Sequence, residues 1–318
     1  MSSAVAAFPD LPGIGDLTEA LGAAFGAPVR VLARAPHRYA STFPGEVVRC
    51  EAHGREHAVL CKYEAGRRYP CFGHRGGLGY EAMVYAEVLR RLPLPTVTCH
   101  GSWTTPSGDT WLFLEHLGEG SRLDEQPEPH GFLAAAAGWA GRFHRLDAGT
   151  SDGAATLTVY SGDYYADWAR RASEIAGDWH RRLPWLRTLC ARAEPLLATL
   201  PELPTCTVHG EFTPHNLLVS GNEVRPVDWE TAAVGLGAVD LAALTDGWPR
   251  DVAGRCEAEY ALARWPGGPP PGHARTLDLA RLYWQLRWLG DRAEWLLQPG
   301  TPGRYEALHA VGRRLGLV

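Results

Sequence analysis

Residues 208–230 read VHGEFTPHNLLVSGNEVRPVDWE, and no other stretch limits the fold of this chain as strongly. Two short apolar runs flank Gly221-Asn222-Glu223, the pattern of antiparallel strands joined by a turn. Centring the turn there pairs residues 217–219 with 225–227 and brings Asn216 opposite Asp228 at the open end. An amide oxygen and a carboxylate aimed at one spot suit Mg²⁺, which keeps water ligands and shares phosphate oxygens rather than being caged by protein. The loop upstream, residues 209–215, delivers Glu211 to the same place, where a carboxylate can accept the proton of an incoming hydroxyl.

A polar set of this kind needs a scaffold, and 318 residues with 45% hydrophobic content supply one large two-part unit. A net charge of −5 argues against the broad basic surface of a nucleic-acid binder. No apolar run is long enough to span a bilayer, and MSSAVAAFPDLPG lacks the basic start and apolar stretch of a signal peptide. The expectation is a cytoplasmic protein without a membrane or nucleic-acid partner. The seven cysteines are scattered without a CxxC pair, so buried thiols are expected rather than a disulfide framework or zinc site.

Among 31 basic side chains there is one lysine, Lys62. A compact ammonium on a flexible stem differs from a planar guanidinium and suits a point contact with phosphates. Lys62 falls near the end of a strand over 57–64, the third in a series after 29–35 and 46–52. Residues 73–79 (GHRGGLG) read as a flexible connection into a helix carrying Met83, Val84, Leu89 and Leu92 on one stripe, closed by Pro93 and Pro95. Two more strands span TVTCHGSWTTPSGDTWLFLEHL around a Pro-Ser-Gly-Asp turn. Beyond Leu123 helices dominate, over 131–146, 163–183, 186–200 and 278–297, and the tryptophans of the last are expected in the core. Residues 1–12 and 266–273 read as loose. The fold class is α+β, with a small β-rich lobe over 1–117 and a larger helical lobe over 118–318.

HGEFTPHN followed by VDWE, with Asp228 twelve residues after Asn216, resembles the catalytic-loop and metal-binding motifs of the aminoglycoside phosphotransferase and choline kinase-like family, within the protein-kinase-like fold. The resemblance runs in order from Val29 to Leu244 and is most specific over 208–244. It implies that Lys62 touches the α- and β-phosphates of ATP or GTP with Glu81 as its helix partner, and that Asn216 and Asp228 hold Mg²⁺. It further implies that His209 braces the loop, that Asp240 opens a helix behind it as an N-cap, and that Glu115 and Leu117 in LFLEHL offer backbone groups to the base. The same resemblance implies that the lobe over 1–117 positions nucleotide phosphates and that the lobe over 118–318 carries the catalytic loop, metal site and acceptor site.

Two departures stand out. The family's aspartate is Glu211 here, one methylene longer, and an overshoot of about 1 Å can cost on the order of 10²-fold in rate. The glycine-rich phosphate cover is replaced by PHRYASTFPG, leaving Ser41 and Thr42 as candidate donors to phosphate. The reading is phosphoryl transfer from the nucleotide to a hydroxyl of a small molecule, with Lys62, Glu211, Asn216 and Asp228 as the catalytic set. The alternative is a nucleotide-binding pseudokinase that acts as an interaction module. Rows of acids near the acceptor side (Asp163, Asp167, Asp246, Asp251, Glu257, Glu259) are ordinarily a solvated helix face. They leave an amino-sugar, a sugar, a nucleoside-like metabolite and a serine of a biosynthetic peptide all open as acceptors.

Overall fold

The computed structural model describes residues 11–40, 42–65, 72–146 and 156–318. The chain first forms α1 (Ile14–Phe25), then β1 (Arg30–Pro36), β2 (Gly45–Ala52) and β3 (Arg55–Tyr63). After α2 (Gly77–Met83) come β4 (Cys99–Thr104) and β5 (Thr110–Glu115), completing an antiparallel sheet of order β1-β2-β3-β5-β4. The period of two along β3 gives the sheet two functions. Val59, Cys61 and Tyr63 join Trp111 and Phe113 of β5 in a core closed by Leu17, Ala20 and Leu21 of α1. The alternate residues Leu60 and Lys62 face a cavity on the other side. Helix α1 was not foreseen from the sequence, although Leu17, Ala20, Leu21 and Ala24 carry a helical spacing.

The glycines at 77 and 79 are not a flexible connection as expected, because Gly77-Leu78-Gly79 form the first turn of α2. That helix continues through a wider turn at Val84–Val88 and a tight one at Leu89–Arg91. Its inner face joins Leu112 and Leu114 of β5 to the main core of the helical part, which includes Trp139, Phe143, Trp168, Trp229 and Tyr283. The sheet and the helices therefore share a core at α2, and the groups α2 carries are held in register with those below it.

The larger part contains α3 (Pro129–Leu146), α4 (Gly162–Ile175), α5 (Trp179–Arg182) and α6 (Trp185–Ala198). Strands β6 (Cys206–Val208), β7 (Leu217–Ser220), β8 (Glu223–Pro226) and β9 (Ala233–Gly235) follow, then α7 (Ala238–Thr245), α8 (Arg250–Arg264), α9 (His273–Asp291) and α10 (Thr301–Arg314). Ser161 starts α4 by accepting the Tyr164 N–H on its hydroxyl at 3.2 Å. The helix expected over 163–183 is two helices, since Gly177 at φ 52° adopts the left-handed conformation that ends a helix. The one expected over 278–297 leaves α geometry after Asp291 and finishes as a tight turn at Ala293–Leu297. Trp284 is buried as expected, whereas Trp288 and Trp295 pack on each other half-buried, with ring centroids 5.3 Å apart. Among the described residues, no helix is long and apolar enough to cross a membrane.

Candidate active site

Two small ladders place the polar set. β6 pairs with β9 through Val208 and Ala233, so the loop that begins at His209 leaves the ladder beside the segment that follows β8. β7 and β8 form the expected hairpin, but its register is one residue away from the sequence reading. Ser220 pairs with Glu223 across a two-residue loop, Leu217 faces Pro226, and the Asn216 carbonyl accepts the Val227 N–H at 2.9 Å. Asp228 is therefore not paired with Asn216. It reaches the same space because its backbone turns into the left-handed region (φ 70°), which aspartate tolerates better than most residues.

Asn216, Asp228 and Lys62 line one cavity of about 290 Å³ between the sheet and the β7–β8 hairpin. Lys62 Nζ donates to Glu81 Oε2 at 2.5 Å and to Asp228 Oδ1 at 2.8 Å. The second Glu81 oxygen accepts the Trp229 N–H at 3.4 Å, so α2 is tied to the backbone next to Asp228. Burial raises the Glu81 carboxyl despite the neighbouring ammonium. Burial opposes ionisation of Asp228 too, but Lys62 outweighs it and holds that carboxyl below its ordinary range. One ammonium thus faces two carboxylates, leaving a surplus of negative charge with the Asp228 side chain 38% exposed. Asn216 uses its amide nitrogen on the Glu211 carbonyl at 3.0 Å, which leaves its oxygen for a cation. The Asn216 amide oxygen and the Asp228 carboxylate are two hard oxygen donors, a set that would suit Mg²⁺ completed by water and phosphate oxygens.

The loop itself is held from below. Asp240 is the third residue of α7 and not its N-cap, which is Gly237. Its buried carboxylate accepts the backbone N–H groups of His209 (2.8 Å) and Gly210 (2.9 Å) and faces His144 Nε2 at 3.1 Å. His209 reaches across to the Val227 carbonyl at 2.8 Å and accepts the Glu211 N–H at 3.3 Å, joining the loop to the strand that leads to Asp228. Gly210, at φ 84°, has no room for a side chain, because a Cβ would lie 2.5 Å from the Thr231 carbonyl oxygen.

Glu211 does not line the cavity; its carboxylate is turned onto two arginines absent from the sequence reading. Oε1 accepts from both Arg75 Nη2 and Arg287 Nη2, the latter at 2.6 Å, and Oε2 accepts from Arg75 Nη1 at 3.0 Å. Burial would push this carboxyl up; the two guanidinium groups outweigh it and hold it below the usual carboxylate range. Neither arginine carried a local signal, since Arg287 is one of three arginines along α9 and Arg75 sits in the glycine-rich GHRGG. Three of the six acids expected along the acceptor side are engaged with side chains of the helical part. Asp246 accepts from Trp284 Nε1 (3.0 Å), Gln285 (2.7 Å) and Arg304, Asp167 pairs with Arg170, and Glu257 with Arg281.

Thr42, Glu115 and Leu117 all line the cavity's upper wall, whereas Ser41 lies outside the described residues. The backbone N–H groups of Glu115 and His116 are already committed to the Thr98 and Ala58 carbonyls (2.8 and 2.9 Å). The loop between β1 and β2 is fastened by Arg38 to Glu119 (3.3 Å) and Glu125 (3.1 Å) and by the Tyr39 hydroxyl to Glu125. Arg38 and Arg122 both stack on the Tyr39 ring, at 4.5 and 4.6 Å from its centroid. This aromatic clasp takes the position where a glycine-rich cover was missing.

His37 begins that loop, and burial, with His116 and Lys62 nearby, pushes its imidazole down to about 4. The folded state then refuses a proton that the unfolded chain accepts below about pH 6.5. Stability from this group is complete above pH 6.5 and falls as the pH drops toward 4, by about 2 kcal/mol at pH 5. Thermal melts of the wild type and His37→Gln at pH 7 and 5 should therefore differ, with the variant losing several degrees less on acidification. Equal losses would show that His37 does not carry the effect.

A sequence model described as "Phosphotransferase enzyme family" (APH) matches residues 67–279 of the chain. No curated protein matches the sequence. Among solved structures, macrolide 2'-phosphotransferase MphH from Brachybacterium faecium aligns with a TM-score of 0.57 at 20% identity, covering 94% of this chain and 98% of that one. The GDP and kanamycin complex of APH(2")-IIia aligns at 0.60 and 14%, covering 94% and 99%. Choline kinase from Cryptosporidium parvum Iowa II aligns at 0.59 and 13%, covering 91% of each chain. At these identities the alignments speak to the fold, and they establish it as the kinase-like α+β arrangement described above.

Proposed function

Because the chain belongs to the APH phosphotransferase enzyme family, we propose that it moves the γ-phosphoryl group of ATP or GTP to a hydroxyl of a small molecule, using the cavity above Lys62 for the nucleotide. The observation that carries this reading is the bridge from Lys62 to both Glu81 and Asp228 at the cavity floor. An ammonium so held is positioned to contact the α- and β-phosphates, while Glu81, tied to the Trp229 backbone, keeps it from following the nucleotide out. Mg²⁺ at Asn216 and Asp228 would supply neutralisation of the charge that develops on the phosphate oxygens. Glu211 orients the acceptor hydroxyl toward the phosphorus rather than stripping its proton early, since a carboxylate held well ionised is a weak base. Thr42 and the Leu117 backbone are the nearest candidates for contacts to phosphate and base.

The test is transfer of label from γ-labelled ATP and GTP to a panel of amino-sugars, sugars, nucleosides and serine peptides. Labelled product with at least one acceptor is expected; absence of transfer across the panel sinks the reading. The pair of arginines on Glu211 favours a second reading, a nucleotide-binding interaction module. That module would be thermally stabilised by nucleotide and would turn over nothing.

A further inference from the structure

The carboxylate that replaces the shorter aspartate is gripped from two directions. Arg287 comes from α9, packed over the Trp168 and Trp284 rings (5.7 and 5.6 Å from the centroids), and ties Glu211 Oε1 and the Gly210 carbonyl into one fork, at 2.6 and 2.5 Å. Arg75 comes from the segment before α2. That segment is docked on the helical part by the Gly76 N–H to the Glu230 carbonyl (2.8 Å), His74 to the Ala232 carbonyl (3.2 Å) and Phe72 on Trp168 (4.9 Å). Arg75 also donates to Glu230 Oε1 at 3.0 Å and comes within 4.0 Å of Asp291. The two guanidinium groups are nearly buried, 10% and 5% exposed, while the Glu211 side chain is 17% exposed.

A carboxylate offers about four lone-pair sites. Three are taken by the arginines, two on Oε1 and one on Oε2, so a single site on Oε2 remains. Resting on the phosphotransferase reading, we propose that Arg75 and Arg287 are positioning residues that absorb the extra methylene of Glu211 and aim its one open lone pair at the acceptor hydroxyl. The same clamp selects the acceptor. Glu211 is already committed to the two guanidiniums, and Arg75 shares its charge with Glu230 and Asp291, so an ammonium beside the reacting hydroxyl finds no carboxylate left to pair with there. The acceptor class is therefore a hydroxyl compound with no positive charge next to the reacting position, a neutral sugar or nucleoside rather than an amino-sugar.

Three measurements on the full chain test this. In wild-type protein, matched acceptors differing only by hydroxyl or ammonium beside the reacting position should differ at least tenfold in kcat/KM in favour of the uncharged member. Arg75→Met and Arg287→Met should each lower kcat about 10- to 100-fold at unchanged nucleotide KM and shrink that preference, with Arg75→Lys restoring part of the rate. Glu211→Asp should lower kcat as well, because the shorter carboxylate retreats from the arginines, although it recreates the family's residue. Preference of the wild type for the aminated acceptor overturns the proposal without recourse to any variant. So does an arginine variant that loses only thermal stability or only nucleotide affinity, or a faster Glu211→Asp enzyme. A wild type that transfers to nothing instead overturns the phosphotransferase reading on which the clamp rests.

Discussion

Replacing Asp228 with asparagine should leave a folded protein whose phosphoryl transfer is at least about 10³-fold slower, a loss of roughly 4 kcal/mol in transition-state stabilisation. Asparagine keeps the volume and is among the few residues that accept the left-handed backbone at this position, φ 70°. It also keeps an oxygen for Lys62, which retains Glu81 in any case. What disappears is the one carboxylate that is both held ionised and 38% exposed to the cavity, and with it the surplus negative charge for a divalent cation. Initial rates with γ-labelled nucleotide would show the loss, and a melting temperature within a few degrees of wild type would show that the fold is intact. Full activity in this variant would remove the metal assignment.

The second large effect is on folding. Asp240→Ala should lower stability by about 3–5 kcal/mol, because the buried carboxylate gathers the N–H groups of His209 and Gly210 and faces His144. Both amides would be left buried without their acceptor. For a protein with a margin on the order of 5–15 kcal/mol this is a severe loss, equivalent to roughly 10 °C in Tm. Differential scanning calorimetry with and without nucleotide would measure it. A variant melting within about 3 °C of wild type would mean that the β6–β9 ladder and the Thr231 hydroxyl on the His209 carbonyl (2.9 Å) suffice to hold the loop.

The two predictions separate because two aspartates of one region act on different quantities, and that difference was only half visible in the residue order. That Lys62, Asn216 and Asp228 share one cavity was legible because a lone ammonium, an amide oxygen and a carboxylate behind a strand stood out by residue type. The strands around Lys62 were legible because their two faces alternate, Cys61 and Tyr63 toward α1 and Leu60 and Lys62 toward the cavity. The hairpin was legible as a hairpin, yet its register was off by one residue. Apolar residues stand at both Val224 and Val227, and only the two-residue loop between Ser220 and Glu223 selects between them. Asp240 was recognisable as an acid at a helix start, but a helix start does not say whether a carboxylate caps its own backbone or a neighbour's.

The residues that grip Glu211 were out of reach of any local pattern. Arg75 lies 136 positions before it and Arg287 76 positions after it, in a chain where 30 arginines carry no spacing relative to the loop. Residue type and short-range spacing specify which groups can bind a phosphate, a cation or a proton, because those capacities belong to the side chain. Which lone pair of Glu211 stays open depends on how α9 and the segment before α2 pack against the loop. Packing over such distances is set by the burial of whole faces, and a buried guanidinium finds its carboxylate only after those faces have met.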